Sequence, residues 1–104
     1  MITVISSLGD NKDAQFDLRF GRAAFFCIYN EDTKETKFIA NKNKDAQGGA
    51  GTKTVETMVE LGVEKVISGD FGPKAQELLE KFNIQMVVIQ DDSNKIKDII
   101  NKLS

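Results

Sequence analysis

Histidine and tryptophan are both missing from this 104-residue sequence, and cysteine and proline each occur once. The single thiol, Cys27, cannot form an intramolecular disulfide, and without histidine the chain can build neither a zinc finger nor a histidine-dependent catalytic triad. One cysteine is typical of a reducing compartment, so we expect a cytoplasmic protein. No stretch has the length of a membrane span or the pattern of a signal peptide, so we expect no membrane partner.

Basic residues are in the minority as well. The chain has 14 lysines and arginines against 16 acidic residues, a net charge of -2. Because proteins that grip nucleic acid usually carry a basic excess, we expect no nucleic-acid partner. The length fits a single domain over residues 1–104, with a core that needs no disulfide or structural metal, and we expect a monomer.

What is present is an alternation of short apolar runs with segments of helical periodicity, which predicts an α/β fold. The predicted order is β-β-β-α-β-α-β-α, an antiparallel meander followed by two right-handed parallel crossovers, giving a mixed sheet. The predicted strands are 2–5, 25–29, 36–40, 63–68 and 84–89. The predicted helices are one capped by Thr52 and stopped by Gly62, one from Pro73 to about 82, and one capped by Ser93.

Two glycine-rich segments fall between a strand and the start of a helix. At such a junction the first backbone N–H groups of the helix have no intrahelical partner, and the helix dipole favours negative charge. These segments therefore predict a site for an anionic ligand, although neither matches a Walker A loop or a dinucleotide fingerprint, and ordinary tight turns are the alternative. The candidate residues are Gly48, Gly49, Gly51, Gly69 and Gly72.

The only two arginines, Arg19 and Arg22, flank Phe20 and Gly21 just before the second predicted strand. The planar guanidinium fork suits carboxylates and phosphates, so either arginine is a candidate for clamping an anion. The alternative is a salt bridge to Asp17, an interpretation that we favour for Arg19 and leave open for Arg22.

No set of residues predicts catalysis. Cys27 lies between apolar neighbours and is expected to fill core space; the alternative, a soft ligand for iron or copper, would find no second cysteine. Asp10, Asp17, Glu56 and Asp70 could serve a metal-dependent nuclease, but the first strand contains no carboxylate. We therefore predict no catalytic residue, no enzyme activity and no metal ligand.

Three motifs together point further: Phe20-Gly21-Arg22-Ala23 before a strand, Gly48-Gly49-Ala50-Gly51 before a helix, and Gly69-Asp70-Phe71-Gly72-Pro73-Lys74-Ala75 after a strand. In this order the chain resembles the nitrogenase iron-molybdenum cofactor-binding family, which includes NifX-type carriers and the C-terminal part of NifB. The resemblance implies a ribonuclease H-like fold, with a five-stranded mixed sheet of order 3-2-1-4-5 flanked by three helices.

The resemblance also implies a function without a reaction. The better-studied members of the family bind an anionic iron-sulfur or iron-molybdenum cofactor, or its precursor, and deliver it to a protein that accepts it. The positions implicated are Arg22, Gly48, Gly49, Gly51, Gly69 and Gly72. Iron-sulfur clusters are normally held by several thiolates, so here backbone N–H groups and Arg22 would hold the cofactor loosely. The alternatives are a regulatory module that binds a phosphate-bearing small molecule and, less favoured, a metal-dependent nuclease.

Overall fold

The first strand is buried along almost its whole length, and the other elements are arranged around it. In the computed structural model, which describes residues 1–103, Thr3 to Ser7 are all buried. The elements are β1 (Ile2–Ser7), β2 (Phe25–Asn30), β3 (Thr36–Ala40), α1 (Ala50–Glu60), β4 (Lys65–Ser68), α2 (Pro73–Lys81), β5 (Gln85–Val88) and α3 (Ile96–Leu103).

The five strands form one mixed sheet in the order β3-β2-β1-β4-β5. β1 and β2 pair antiparallel, as do β2 and β3, whereas β1 pairs with β4 and β4 with β5 in parallel. The predicted element order, the mixed sheet and the strand order are therefore confirmed. Parallel pairing at β1 and β4 follows from the crossover helices, which return the chain to the same edge of the sheet before each new strand.

Each face of the sheet carries its own apolar core, because successive side chains of a strand point to opposite faces. Val4 of β1 lies in a cluster with Met58 of α1 and Leu79 of α2. The next residue, Ile5, lies in a second cluster with three isoleucines of α3. Helices α1 and α2 thus cover one face of the sheet and α3 covers the other.

Two helices begin at other residues than the sequence pattern predicted. Helix α1 starts at Ala50 after Gly49, so the prediction of Thr52 as the N-cap was wrong, since Thr52 lies inside the helix. Helix α3 starts at Ile96, three residues after Ser93, and the Ser93 hydroxyl donates instead to Asp91. Within residues 1–103, no helix is long and apolar enough to cross a membrane.

The topology brings the three sequence motifs to one edge of the sheet. β1, β3 and β4 run in the same direction, so their carboxyl ends share an edge, and the antiparallel β2 begins at that edge. The loop before β2, the loop between β3 and α1, and the loop between β4 and α2 all lie there. In open α/β sheets this is the edge where ligands bind.

At the opposite edge a partly buried carboxylate joins β1, the turn after β2 and β4. Glu31 accepts a hydrogen bond of 2.5 Å from the Thr3 hydroxyl and lies 3.0 Å from the Lys65 ammonium group. The Thr3 hydrogen bond, followed by the attraction of Lys65, lowers the pKa of Glu31 in spite of partial burial. A carboxyl whose pKa is lowered on folding stabilises the fold above its unfolded pKa, and this contribution disappears as the pH falls through the folded value.

Replacing Glu31 tests this network. We expect Glu31→Gln to lower the free energy of unfolding by about 1 kcal/mol at pH 7, because the hydrogen bonds of a charged group are stronger than those of an amide. The difference from the parent should shrink at pH 3, which lies below the ordinary pKa of a glutamate, because the stabilisation from a lowered pKa decreases as the pH falls toward the folded value. Urea unfolding at both pH values measures it, with the exposed Glu35→Gln as the control. An equal difference at pH 7 and pH 3 would contradict the assignment.

Candidate functional site

The loop before β2 is anchored by an aromatic side chain. Residues 19–22, here called the arginine loop, carry Phe20 into the core, where its ring lies 5.9 Å from that of Phe26 and 5.2 Å from that of Phe71. The Phe20 N–H donates to the Asp70 carbonyl at 3.2 Å. These contacts fix the arginine loop beside the loop that follows β4.

Gly21 brings the arginine loop into backbone contact with α1. A Cβ atom at Gly21 would lie 2.7 Å from the amide nitrogen and 2.8 Å from the Cα of Gly51, distances that no side chain tolerates. The Gly21 carbonyl also accepts a hydrogen bond of 3.4 Å from the buried Thr54 hydroxyl. Only glycine allows this approach.

The first turn of α1 is open to a ligand. Its N-cap, Gly49, has φ 69° and provides no side-chain cap, and the first turn contains no acidic residue. The N–H groups of Gly51 and Thr52 belong to the donors of the first turn, which have no partner inside a helix. The preceding Gly48 also has a positive φ of 96°. The chain therefore enters α1 without covering its positive end.

The start of α2 has the same character. Its N-cap, Gly72, has φ 75° and gives no side-chain cap, and no acidic residue lies in the first turn. Pro73 occupies the first helical position and has no N–H to leave unpaired, whereas Lys74 adds a positive charge. The carboxylate of Asp70 accepts the Gly72 N–H at 3.1 Å and lies just outside the helix.

The two helix starts border one concave region, which we call the cleft. It consists of a cavity of about 310 Å³ between the starts of α1 and α2 and an adjoining cavity of about 360 Å³ that reaches the arginine loop. The two cavities share four lining residues, namely Ala50, Gly51, Phe71 and Gly72. Two helix dipoles thus point their positive ends into the same space.

The cleft lining carries more positive than negative side chains. Arg22 and Lys74 are both exposed, and Asp70 is the one carboxylate among the lining residues that the structure describes. The Arg22 guanidinium donates a hydrogen bond of 2.8 Å to the Lys44 carbonyl. A guanidinium has five N–H donors, so this bond leaves most of them available. Together with the helix starts, these charges favour an anion.

Arg19 has a structural role. Its guanidinium donates two hydrogen bonds of 3.0 Å to the two carboxylate oxygens of Asp17, which is 3% exposed. The Asp17 carboxylate raises the pKa of Arg19 further above its ordinary value. Asp17 also accepts the N–H groups of Arg19 and Ala24. The salt bridge that we favoured for Arg19 is present, and it holds the base of the arginine loop.

The structure brings together four of the six predicted site residues: Arg22, Gly49, Gly51 and Gly72 all line the cleft. Gly48 lies just before the cleft and is not among its lining residues. Gly69 lines a third cavity, which shares Asp70 and Phe71 with the cleft, and a Cβ at Gly69 would lie 2.8 Å from three atoms of Leu18. Close packing against Leu18 therefore accounts for glycine at position 69.

Sequence reasoning missed several residues that shape the cleft. Ala50, Phe71 and Lys74 line it, and Gly21 sets the distance between the arginine loop and α1. All four lie within the three motifs on which the family resemblance was based, so the signal was present. Their partners are more than 20 residues distant along the chain, and only the fold reveals them.

The acidic residues do not assemble into a metal site. Within residues 1–103, no group of three or more histidine, cysteine, aspartate or glutamate side chains could hold a metal ion. Cys27 is fully buried in the core between the sheet and α3, where it fills space as predicted. The residues that could serve a nuclease therefore remain dispersed in the part of the chain described.

Solved structures of known proteins share this fold. The apo form of the orange protein from Desulfovibrio gigas matches with a TM-score of 0.90 at 22% identity, over 97% of this chain and 84% of that one. A candidate NifB protein from Thermotoga matches with a TM-score of 0.81 at 27% identity, over 96% of this chain and 84% of that one. No curated protein matches the sequence.

The family model described as dinitrogenase iron-molybdenum cofactor matches residues 1–104. The match spans all three motifs, from the arginine loop to the start of α2. It confirms the resemblance drawn from those motifs, and the chain belongs to the dinitrogenase iron-molybdenum cofactor family.

Proposed function

We propose that this protein binds an anionic iron-sulfur or iron-molybdenum cofactor, or its precursor, in the cleft and passes it to an accepting protein without catalysing a reaction. The observation that carries the proposal is the meeting of two uncapped helix starts, α1 and α2, at one cavity. Helix starts of this kind bind anions through backbone N–H groups and the helix dipole. Membership of the family supplies the class of anion.

The chemistry of the cleft fits an anion that arrives with its own ligands. No cysteine or histidine is among the lining residues, so the cleft offers N–H donors and the cations Arg22 and Lys74 rather than thiolates. The two adjoining cavities, about 310 and 360 Å³, are of the size that accommodates small ligands. Binding without bonds from protein atoms to metal would leave the cofactor easy to release, as transfer requires.

A phosphate-bearing small molecule is the second candidate ligand, because the same backbone donors would accept phosphate oxygens. The nuclease alternative draws no support from the acidic residues. Within this proposal the protein is a cytoplasmic monomer and a single domain over residues 1–104. Its ribonuclease H-like classification stays a prediction.

A pair of glycine substitutions tests the cleft. Gly49 and Gly62 lie at opposite ends of α1 with φ of 69° and 71°, and a Cβ at either position would enter open space. Gly49→Val and Gly62→Val should therefore suffer similar backbone strain, but only Gly49→Val places a side chain at the cleft. We expect iron and molybdenum to co-elute with the parent and with Gly62→Val, and to be lost with Gly49→Val.

The measurement is anaerobic gel filtration of the purified apoprotein mixed with isolated iron-molybdenum cofactor, followed by metal analysis of the protein peak. Equal metal in the Gly49→Val and parent peaks would place the binding elsewhere. A parent that retains no metal but is stabilised against heat by an organic phosphate would favour the second candidate.

Charge neutralisation gives an independent test. Lys74 and Lys81 lie at opposite ends of α2, and both are exposed. Lys74→Gln removes a positive charge from the cleft, whereas Lys81→Gln removes one at the far end. We expect Lys74→Gln and Arg22→Ala each to weaken cofactor binding several-fold, and more at low salt, because exposed charges are screened as ionic strength rises. Equal affinities for Lys74→Gln and Lys81→Gln would contradict this.

The single thiol, Cys27, allows a test of whether cysteine ligates the cofactor. Burial raises the pKa of Cys27 to about 12, with a small opposing effect of Lys12. Only the thiolate binds metals and reacts readily with alkylating reagents, and at pH 8 almost none is present. Cys27 is also fully buried in the core on the α3 side of the sheet, so we expect no contact between its thiol and a ligand in the cleft while the fold is intact.

We expect iodoacetamide at pH 8 to leave Cys27 unmodified in the native protein and to modify it in urea, as mass spectrometry would show. Cys27→Ala should bind the cofactor with the affinity of the parent, because Cys27 lies on the α3 side of the sheet. Rapid alkylation of the native protein, or loss of cofactor binding in a folded Cys27→Ala variant, would mean that the thiol reaches the ligand.

A further inference from the structure

A buried amide stands at the junction of the loops that form the cleft. Asn41 follows β3 directly and is 6% exposed. Its Nδ2 group donates to the carbonyl of Gly21 at 3.0 Å and to that of Ala23 at 2.9 Å, and its Oδ1 accepts the Asn43 N–H at 3.0 Å. This orientation of the amide gives each of its polar atoms a partner of the opposite kind.

The two carbonyls that Asn41 holds lie on either side of Arg22. The Gly21 carbonyl lies in the peptide group that joins Gly21 to Arg22. The Ala23 carbonyl lies in the peptide group that joins Ala23 to Ala24. The backbone N–H of Asn41 also donates to the Ala24 carbonyl at 3.1 Å. The main chain is thus pinned before and after Arg22 by a single residue of another loop.

Asn41 also directly precedes residues 42–48, the segment that accepts the hydrogen bond from Arg22. Residues 42–48 are exposed or half-buried. Within residues 1–103, the hydrogen bonds of this segment join its own residues or connect it to Asn41. The one exception within that range is the bond from Arg22 to the Lys44 carbonyl. Asn41 therefore fixes both partners of that bond, the arginine and the segment that carries its acceptor.

We propose that Asn41 is a positioning residue for anion binding, since it orders the main chain around Arg22 and so holds the guanidinium at the cleft before a ligand arrives. The inference rests on the proposed function in taking Arg22 as a contact of the cofactor. Without the amide, the Ala23 carbonyl loses the donor that Asn41 supplies, the Gly21 carbonyl keeps only the 3.4 Å bond from Thr54, and the arginine loop gains freedom. Binding then has to restore the order that Asn41 supplies in advance.

A double-mutant cycle tests whether Asn41 acts through Arg22. The variants are Asn41→Ala, Arg22→Ala and the double substitution, with the dissociation constant for isolated iron-molybdenum cofactor as the readout. We expect Asn41→Ala to weaken binding about tenfold, equivalent to ~1.4 kcal/mol. The double variant should bind no more weakly than Arg22→Ala alone, because neither has a guanidinium left to position.

The control is Thr3→Val, which removes the hydrogen bond to Glu31 at the opposite edge of the sheet and should destabilise the fold without touching the cleft. It should bind the cofactor like the parent at a temperature where all variants are folded. If Thr3→Val weakens binding as much as Asn41→Ala, or if the losses of the two cleft substitutions simply add, the positioning role is overturned even though the cofactor binds.

A measurement without ligand keeps the test independent of the proposed function. By ¹⁵N relaxation, the backbone of Arg22 should have the order parameter of a rigid site, about 0.85, in the parent and in Thr3→Val. In Asn41→Ala it should fall below about 0.6. An Arg22 as ordered in Asn41→Ala as in the parent would overturn the positioning role, whereas failure of the parent to bind cofactor would overturn only the proposed function.

Discussion

The contact between the backbones of Gly21 and Gly51 determines where the cleft can form. Neither the arginine loop nor the start of α1 could approach so closely if position 21 carried a side chain. On the other side of the helix start, a Cβ at Gly51 would lie 3.2 Å from the Cβ of Ala75 in α2. Three small residues from distant parts of the chain therefore stack, and their stacking brings two helix starts and a cationic loop together. The cleft can form because these positions carry no side chain larger than a methyl group.

Helices α1 and α2 both begin without a side-chain cap, which makes their first turns less stable than capped ones would be. A serine, threonine or aspartate at the N-cap would satisfy one of the orphan N–H groups and stabilise a helix by about 1 kcal/mol. Both helices have a glycine there instead, with positive φ and no side chain to offer. The residues that carry the donors a cap would have used line the cleft. An anion bound there would provide the missing acceptor, which couples ligand binding to local stability.

Sequence patterns were sufficient for the element order and the mixed sheet because the relevant information is local, whereas the strand order was implied by the family resemblance. The β-branched run in β1 and the helical spacing of Val55 and Met58 each reflect burial of a single element. Helix starts were less predictable, since Thr52 has a good capping side chain yet the chain turns earlier, at Gly49. Glycines posed a harder problem: Gly69 resembled a ligand-binding position, but it is packed against Leu18, 51 residues earlier. Such close approaches between distant segments leave no periodic trace in the sequence.

The two arginines show why residue type alone could not define the site. Both flank the same dipeptide, but Asp17 lies only two residues before Arg19, and its carboxylate is buried. A buried carboxylate without a cation would be strongly destabilising, so Arg19 is committed to the fold. Within residues 1–103, Arg22 pairs with no buried carboxylate, and its guanidinium donates a single hydrogen bond to the Lys44 carbonyl of an exposed segment. Arg22 lines a cavity bordered by two helix starts, on a main chain that Asn41 holds by hydrogen bonds, and for these reasons we propose Arg22 rather than Arg19 as the arginine that binds the ligand.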